Sequence, residues 1–319
     1  MQNTTSEKAE FNQRIQQVTS PLQGSVPYSF TFLKSVKLKD EGKTILDFYA
    51  DAFPHKNRLE WKNRIDLGKI TVNNTVVSSD KILKKSWITK HQLDDIVEPQ
   101  VNTDIKLIYQ DENILVVNKP APLPVHPSGR FIKNTLTAIL KLAFPNQEYK
   151  IVHRLDANTT GLLVLAKNKK TANILMEQFK NQQIKKTYIA LVEGNVDGKT
   201  SEINTKIGTE KQISGARKVS NYGQEAKTIL SVIKKGENQT LVKLEPKSGK
   251  TNQLRLHLAS VKHPIVGDYG YKNPDYFKTN PMTYQEDCLM LHAYKLSFVL
   301  HGKKYDFIAD LPGKFEGVL

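Results

Sequence analysis

Short apolar runs separated by polar residues recur along the chain, and this alternation predicts many strands joined by tight turns. The clearest case is Ile151–Lys167, where the apolar pieces Ile151-Val152 and Leu162–Ala166 flank a polar insert that ends at Gly161. Asp and Asn before Thr-Thr-Gly are common turn residues, so the pattern alone is typical of a turn between two buried strands. The insert also carries three charged or titratable residues, His153, Arg154 and Asp156.

Three more pairs of apolar runs predict hairpins. The first joins Ile70–Val72 to Val76-Val77 through Asn73-Asn74, a pair that tolerates the positive φ of a two-residue turn. The second and third pairs are 105–109 with 114–117, and 225–233 with 241–244. A further strand is predicted over 185–194.

Apolar residues at helical spacing predict four helices. One covers 44–52, and a second begins at Arg58, capped by Asn57 and ended by Gly68. A third covers Leu136–Ala143. The fourth follows the central motif and has an apolar stripe typical of core packing, formed by Ala172, Leu175, Met176, Phe179 and Gln183.

The order of these elements predicts two domains. We assign residues 1–43 to an N-terminal extension, 44–90 to a small helix-helix-hairpin domain, 91–103 to a linker and 104–319 to a large domain rich in hairpins. Neither βαβ alternation nor a Gly-rich phosphate fingerprint is present, which argues against a doubly wound nucleotide-binding fold. The hairpin and helix signals agree with an α+β fold.

Composition narrows the range of partners. The 319 residues carry 47 Lys and Arg against 32 Asp and Glu, a net charge of +15, which favours a polyanion such as nucleic acid over a membrane. The alternative is a basic protein whose charges are simply solvated. The one cysteine, Cys288, excludes an internal disulfide and a Cys-rich zinc site and suits a reducing compartment. With no apolar leader and no run of 18 apolar residues, we expect a cytoplasmic protein without membrane spans.

The polar insert belongs to a longer recognisable string. H-R-L-D-A-N-T-T-G-L-L-V-L-A-K closely resembles the signature of the RluA-type pseudouridine synthases, which is His-Arg-Leu-Asp, two variable residues, Thr, Ser or Thr, and Gly before an apolar strand. The resemblance implies that Asp156 is the essential catalytic residue. It also implies a curved, mixed, largely antiparallel sheet with flanking helices.

Further strings of the same family follow in order between residues 104 and 312. V-V-N-K-P implies that Lys119 supports the catalytic loop, and K-T-Y-I-A-L-V-E-G implies that Tyr188 stacks on the target base. S-G-K-T-N-Q-L-R-L-H-L-A places Arg255 where the family has the arginine that pairs with the catalytic carboxylate. Three residues depart from that last motif: Ser248 replaces Thr, Lys250 replaces Arg and Asn252 replaces His. His153 and Gln253 are expected to support the site from behind.

The implied reaction is the isomerisation of uridine to pseudouridine, which involves no redox change and requires neither metal nor cofactor. A carboxylate suits it as a nucleophile at the sugar or the uracil ring, or as a base that removes a sugar proton. We expect Asp156 and Arg255 to form a close pair, because an opposite charge favours the ionised carboxylate. Arg154 is expected to brace the gap left by an extruded base. The alternatives are a structural ion pair for Arg154 and a half-buried strand aromatic for Tyr188.

The small domain resembles, more loosely, the S-four-type RNA-binding domain. The matching residues are Asn57-Arg58, Lys62 and Gly68–Asn74, and they imply that Arg58, Lys62 and Lys69 contact RNA. A solvated helix face is the alternative. In the large domain, Lys250 keeps the charge of the arginine in the family motif that contains Arg255 and is a further candidate for RNA contact. The expected partner is structured RNA, ribosomal RNA in preference to transfer RNA, bound by a monomer.

Two other functional classes fit the sequence less well. A noncatalytic RNA-binding assembly factor is disfavoured by the intact set of Asp156, Tyr188 and Arg255. A different base-acting enzyme is the second class. A zinc deaminase would require paired cysteines, which this chain lacks, and a glycosidase would require a second carboxylate, which none of the motifs supplies.

Overall fold

The computed structural model describes residues 3–198, 200–210, 216–272 and 289–315. The chain forms two compact units, a small unit of residues 24–98 and a large unit of residues 1–23 and 99–319. The predicted catalytic domain, 104–319, falls in the large unit. The boundaries expected at 43, 90 and 103 differ from this division, because strands lie where an extension and a linker were expected.

The elements follow one another as short helices and strands. The described α-helices are α1 (Thr5–Thr19), α2 (Ile45–Ala52), α3 (Arg58–Asp66), α4 (Leu136–Ala143), α5 (Lys169–Lys180), α6 (Gln253–Ser260) and α7 (Tyr269–Lys272). The described strands are β1 (Tyr28–Ser35), β2 (Ile70–Val72), β3 (Thr75–Val76), β4 (Ile88–Ile96), β5 (Lys106–Gln110), β6 (Ile114–Lys119), β7 (Lys150–Ile151), β8 (Thr160–Ala166), β9 (Lys185–Glu193), β10 (Thr200–Asn204), β11 (Lys227–Lys235), β12 (Gln239–Pro246), β13 (Leu291–Leu300) and β14 (Lys303–Ile308).

The small unit is a four-stranded antiparallel sheet, in the order β1-β4-β2-β3, with α2 and α3. The predicted helix cap and hairpin turn are both present in this unit. Asn57 caps α3 in a capping box with Glu60, and Asn73 and Asn74 take φ values of 47° and 69° in the hairpin turn. The core between sheet and helices contains Tyr49 and Trp61, each 1% exposed.

Strands β1 and β4 were not predicted. They pair along their length, from Ser35 opposite Ile88 to Tyr28 opposite Ile96. Most of the β1 side chains are exposed, and β4 alternates only at its start, so neither strand shows the two-residue period that marks a half-buried strand. Both strands form because they pair with each other, and pairing between distant segments leaves no mark in the local sequence pattern.

Helix α1 lies in the segment that was assigned to an N-terminal extension. Phe11 and Ile15, one helical turn apart, are buried at 2% and 3% exposure, and the Phe11 ring stacks on Phe144 with centroids 5.2 Å apart. The partner of the N-terminal residues is therefore the large unit, through the region of α4.

The large unit is built on one ten-stranded sheet whose main path runs β10-β11-β12-β9-β13-β8-β6-β5, with β14 on β13 and β7 on β8. All of its pairs are antiparallel except β13 with β8. This is the α+β, mixed and largely antiparallel sheet with flanking helices that was predicted. The hairpins β5–β6 and β11–β12 and the helices α4 and α5 occur where the sequence indicated. Two residues of the predicted α5 core stripe differ: Met176 is 45% exposed, and Gln183 is exposed beyond the helix end at Lys180.

Strand β8 is the centre of this sheet. All seven of its residues are buried, because Leu163 and Leu165 pack in one core cluster with α4 while Leu162, Val164 and Ala166 pack in another with α5 on the opposite face of the sheet. Such two-sided burial explains the continuous apolar run from Leu162 to Ala166. The loop that leads into β8 is consequently held against the middle of the sheet. Within the described residues, no helix has the length and apolar content needed to cross a bilayer.

Candidate active site

The polar insert forms the loop between β7 and β8 and carries Asp156 at the rim of the core. The backbone turns there, since the Thr159 amide donates to the Asp156 carbonyl at 3.1 Å. Leu155 before it is 8% exposed and anchors the loop in the core. The Asp156 side chain itself is 34% exposed, so its carboxylate is open to a ligand.

Lys119 fixes this loop from below. It is fully buried, and its ammonium group donates to three backbone carbonyls, those of Pro120 at 2.8 Å, Leu123 at 2.9 Å and Ala157 at 3.0 Å. A buried charge is tolerated only with such hydrogen bonds. Because Ala157 directly follows Asp156, the contact ties the loop to the end of β6, which is the supporting position expected for Lys119.

Gly161 allows β8 to approach β13 closely. It has a φ of 111°, and a Cβ at this position would lie 2.4 Å from the Ala293 carbonyl oxygen and 2.6 Å from its amide nitrogen. No side chain fits in that space. The glycine that closes the motif is therefore required by the parallel β8–β13 pairing immediately after the Asp156 loop.

Arg255, on α6, lies beside Asp156. Its Nη1 is 3.4 Å from Asp156 Oδ2, so the two groups expected to pair, 99 residues apart in sequence, do meet. The shorter bonds, however, go to Asp268, whose oxygens accept from Nε at 2.7 Å and Nη2 at 2.8 Å. Burial alone would lower the pKa of Arg255, but the hydrogen bonds and charge of Asp268 raise it above its usual range. The guanidinium also lies 5.0 Å from the Tyr271 ring centroid.

A cleft of about 510 Å³ opens over Asp156. Its lining has one carboxylate, Asp156, and five cationic side chains: Arg154, Lys180, Lys186, Lys250 and Arg255. Such a ratio suits a polyanion, because a focused positive potential concentrates anionic ligands. Arg154 is exposed and has no hydrogen-bond or ion-pair partner in the described part of the chain, so the structural ion pair considered for it is absent there.

Tyr188 forms the wall of the cleft opposite the turn before α6. It is half-buried on β9, and its side chain lines the same space as Asp156. Burial, together with the nearby Asp156 charge, raises the pKa of Tyr188 well above its usual range, so the phenol keeps its proton. Lys186, two residues earlier on the same face of the strand, also lines the cleft, and burial lowers its pKa.

Gln253 organises the turn on the other side of the cleft. It is 4% exposed, accepts from the Ser248 hydroxyl at 2.7 Å and the Lys250 amide at 3.1 Å, and donates to Lys227 and Thr228 across the turn. Asn252 begins α6 with a φ of 57°. Asn is among the few non-glycine residues that accept this conformation readily, which gives a backbone reason for one of the three departures from the family motif.

His153 lines the cleft and is bonded to the strand β8 behind the loop. Its ring stacks on Phe179 with centroids 4.4 Å apart, and its Nε2 accepts a hydrogen bond from the Val164 amide at 3.1 Å. Burial lowers the pKa of His153 to about 3, and the charge of Lys186 acts in the same direction. The imidazole is therefore neutral near pH 7 and links the loop to β8.

The three cations proposed for RNA contact in the small unit are exposed and already paired. Arg58 bonds to Asp47, Lys62 to Asp66 at 2.6 Å, and Lys69 to Asp94 at 2.6 Å. Exposed pairs of this kind contribute little to stability and exchange partners readily.

Sequence reasoning missed the part that Asp268 and Tyr271 play in holding Arg255. The string H-P-I-V-G-D contains Asp268, but its meaning depends on a contact with a helix 13 residues earlier. The signals for this acid, which is only 1% exposed, were its place in a string that resembles one of the family's and its position just after an apolar pair and a glycine.

The RNA pseudouridylate synthase family matches residues 113–260. Ribosomal large subunit pseudouridine synthase D of Borreliella burgdorferi is 33% identical over 258 residues, 77% of this chain and 77% of the relative. The mitochondrial tRNA pseudouridine(32) synthase of Saccharomyces cerevisiae is 30% identical over 270 residues, 82% of this chain. RNA pseudouridine synthase 7 of Arabidopsis thaliana is 31% identical over 258 residues, 77% of this chain.

The matched part of the chain spans 58% of the yeast relative and 65% of the Arabidopsis relative. Among solved structures, human RNA pseudouridylate synthase domain containing 1 superposes with a TM-score of 0.55 at 26% identity, covering 68% of this chain and 87% of that one. The large sheet thus has the pseudouridine synthase fold, and the chain belongs to the RNA pseudouridine synthase family, of the RluA type.

Proposed function

We propose that the protein isomerises specific uridines in structured RNA to pseudouridine, with Asp156 as its catalytic residue. The observation that carries this proposal is the placement of Asp156 as the one carboxylate in the described lining of a strongly cationic cleft. A purely RNA-binding surface needs no carboxylate there, since a negative charge weakens its hold on phosphates.

The chemistry follows from what must move. The bond from nitrogen 1 of uracil to the sugar breaks, the detached ring turns, and carbon 5 bonds to the same sugar carbon. Carbon 5 then gives up its proton, and nitrogen 1 gains one. The Asp156 carboxylate acts at the sugar or the ring as a nucleophile, or at the sugar as a base. The reaction is redox-neutral and needs no cofactor.

The neighbours of Asp156 divide the remaining work. Arg154, unpaired in the described part of the chain, braces the space left when the uridine leaves its stack, an extrusion that costs a few kcal/mol. Tyr188 stacks on the extruded base and holds it over the carboxylate. Arg255 orients the carboxylate. Lys119, His153 and Gln253 hold the loop and the turn in place, and Lys250 faces the RNA backbone.

Release of tritium from carbon 5 of uridine tests this proposal. Wild-type protein should release label from an RNA substrate, and Asp156→Asn should release none while still binding that RNA. Asp104→Asn, which alters an exposed carboxylate paired with Lys106, is the matched control and should release label normally. Retention of label by the wild type on ribosomal and transfer RNA alike would overturn the proposal in favour of a binding protein. Activity should also survive exhaustive dialysis against EDTA.

We favour ribosomal RNA over transfer RNA as the substrate. The support is the small unit, whose helices and Asn-Asn hairpin resemble an RNA-binding module suited to structured RNA, together with the ribosomal name of the Borreliella relative. The yeast relative is named for transfer RNA, which makes transfer RNA the second candidate. Mapping of pseudouridine in both RNA classes, from cells lacking the protein and cells complemented with Asp156→Asn, decides between them.

We further propose that Arg58, Lys62 and Lys69 of the small unit exchange their acidic partners for RNA phosphates. Each phosphate contact adds about 0.7 to 0.9 to the magnitude of the slope of log affinity against log salt. The triple Ala variant should therefore lower that slope by about 2 to 3. An unchanged slope would leave these residues as a solvated surface.

The proposed working form is a cytoplasmic monomer. One cysteine in 319 residues suits a reducing compartment, although one relative is mitochondrial by name. Light scattering at micromolar concentration should give the mass of one chain, 36.2 kDa.

A further inference from the structure

A second basic groove adjoins the active-site cleft. It has a volume of about 710 Å³ and lies over the start of β9, the end of β12 and the facing parts of β13 and β14. Lys186 and Pro246 line both this groove and the cleft, so the two spaces meet at these residues. We call it the second groove. A chain leaving the cleft past Lys186 would enter it directly.

The registers place three lysines of this groove on one face of three neighbouring strands. Lys185 lies opposite Ser297, and Ser297 lies opposite Asp306. Lys295 is two residues before Ser297, and Lys304 is two residues before Asp306, so alternation puts all of them on the same side. Neighbouring strands are about 5 Å apart and alternate residues about 7 Å apart, so the lysine positions form a compact cluster.

The charges in the groove are not balanced. Asp306 is shared between Lys304 at 2.9 Å and Lys295 at 3.5 Å. Glu245 is likewise shared between two lysines, Lys243 at 3.0 Å and Lys247 at 3.3 Å. Each carboxylate therefore neutralises only half of its lysine pair. Lys185 has no partner among the described residues, and the face keeps a net positive charge.

The kind of ligand follows from what the groove lacks. Its one aromatic lining residue, Phe298, is 3% exposed, so the described lining has no ring on which a base can stack. Ammonium groups without aromatic platforms favour phosphates and not bases. Lysines on edge strands also hinder sheet-to-sheet pairing, but that role requires neither a concave shape nor continuity with the cleft.

We propose that the second groove binds the phosphate backbone of the RNA strand that flanks the target uridine. The inference rests on the proposed function for the identity of the polyanion. Contact there is independent of base sequence, and it lengthens the bound segment beyond the nucleotides that fill the cleft. Affinity for a long strand should accordingly exceed affinity for a short one, and the excess should depend on Lys185, Lys295 and Lys304.

The test uses the full chain carrying Asp156→Asn, so that no RNA is converted. The probes are oligouridylates of thirty and five nucleotides, titrated by fluorescence anisotropy at several salt concentrations. Adding Lys185→Ala, Lys295→Ala and Lys304→Ala should weaken binding of the long probe about tenfold or more and lower its salt slope by about 2. Binding of the short probe should stay within twofold. The small unit is identical in all proteins, so its contribution cancels.

Two matched variants complete the test. Lys169→Ala with Lys170→Ala removes two exposed charges at the start of α5, outside both spaces, and should leave both affinities unchanged. Replacing the three groove lysines by Arg keeps the charge and should preserve binding of the long probe. Equal loss for both probes, no loss in the Ala variant, or failure of the starting protein to bind the long probe would each overturn the proposal.

A competing ligand is tested in the same way. Poly-glutamate that binds as tightly as the long probe, with the same dependence on the groove lysines, would assign the groove to an acidic protein instead. Tritium release distinguishes failure of the isomerase proposal from failure of the groove proposal. Lack of release with groove binding intact removes only the isomerase proposal, and normal release without length-dependent binding removes only the groove.

Discussion

Replacing Asp268 by Asn tests how Arg255 is held. In the wild type, the Arg255 guanidinium donates two bonds to Asp268, at 2.7 and 2.8 Å. The substitution keeps the shape of the side chain but places an NH₂ group, itself a donor, against one of these N–H groups. One charge-assisted bond, about 1.5 to 3 kcal/mol, is lost, and the buried Arg255 keeps one bond to the neutral Asn carbonyl oxygen and its 3.4 Å contact with Asp156. Breaking a buried ion pair costs about 3 to 5 kcal/mol, so the melting temperature should fall by roughly 10 °C.

Turnover should fall independently of stability. A guanidinium freed from Asp268 shifts towards Asp156, and a displacement of about 1 Å at a reacting group costs on the order of 100-fold. Tritium release at 25 °C, where the variant remains folded by circular dichroism, measures the effect. Asp104→Asn, at an exposed pair, should change neither quantity. Wild-type melting and wild-type turnover in Asp268→Asn would refute the view that Asp268 positions Arg255.

Three further predictions concern the frame of the site. Gly161→Ala should lower the free energy of unfolding in urea by at least about 3 kcal/mol, because the added Cβ would clash with the Ala293 backbone. An unaltered urea midpoint would contradict the close approach of β8 and β13. Lys119→Met should cost about 3 kcal/mol by leaving buried carbonyls unsatisfied, and hydrogen exchange should rise in the Asp156 loop; unchanged exchange would refute the support assigned to it. Burial lowers the pKa of His153 to about 3 and of His292 to about 4, while the unfolded residues titrate near 6.5. The unfolded state thus binds more protons below pH 6.5, and each histidine should lower the free energy of unfolding by about 1.4 kcal/mol at pH 5.5 relative to pH well above 6.5. The melting temperature should therefore fall as the pH is lowered, and it should fall less steeply in His292→Asn.

The parts of the fold that sequence predicted correctly are those set by neighbouring residues. Asn57 before Arg58 marks the start of α3, and Asn73-Asn74 marks a hairpin, because caps and turns are decided within a few residues. Strands β1 and β4 depend on each other across about sixty residues. Asp94 illustrates the difficulty, since in sequence it looks like linker and in the fold it bonds to Lys69, Ser29 and Gln92.

The candidate site divides in the same way. The loop around Asp156 was readable because strand, turn and glycine follow one another within about ten residues. The closeness of Arg255 came from resemblance to a family and not from local pattern, since spacing carries no information across 99 residues. The bidentate hold of Asp268 on Arg255 was not expected, because burial of an acid is a property of the packed fold.

The arrangement around Arg255 suits the catalytic role proposed for Asp156, because it holds the carboxylate without saturating it. A buried guanidinium needs a permanent counter-ion, and Asp268, only 1% exposed, supplies it with two short bonds whether or not RNA is present. Asp156 receives one longer bond, and its side chain has no other hydrogen-bond partner in the described part of the chain. A carboxylate saturated by two short bonds would have to break them before attacking carbon or accepting a proton. Because Asp268 neutralises Arg255, a single longer hydrogen bond is enough for Arg255 to orient Asp156, and most of the lone pairs of the Asp156 carboxylate stay available for the proposed reaction.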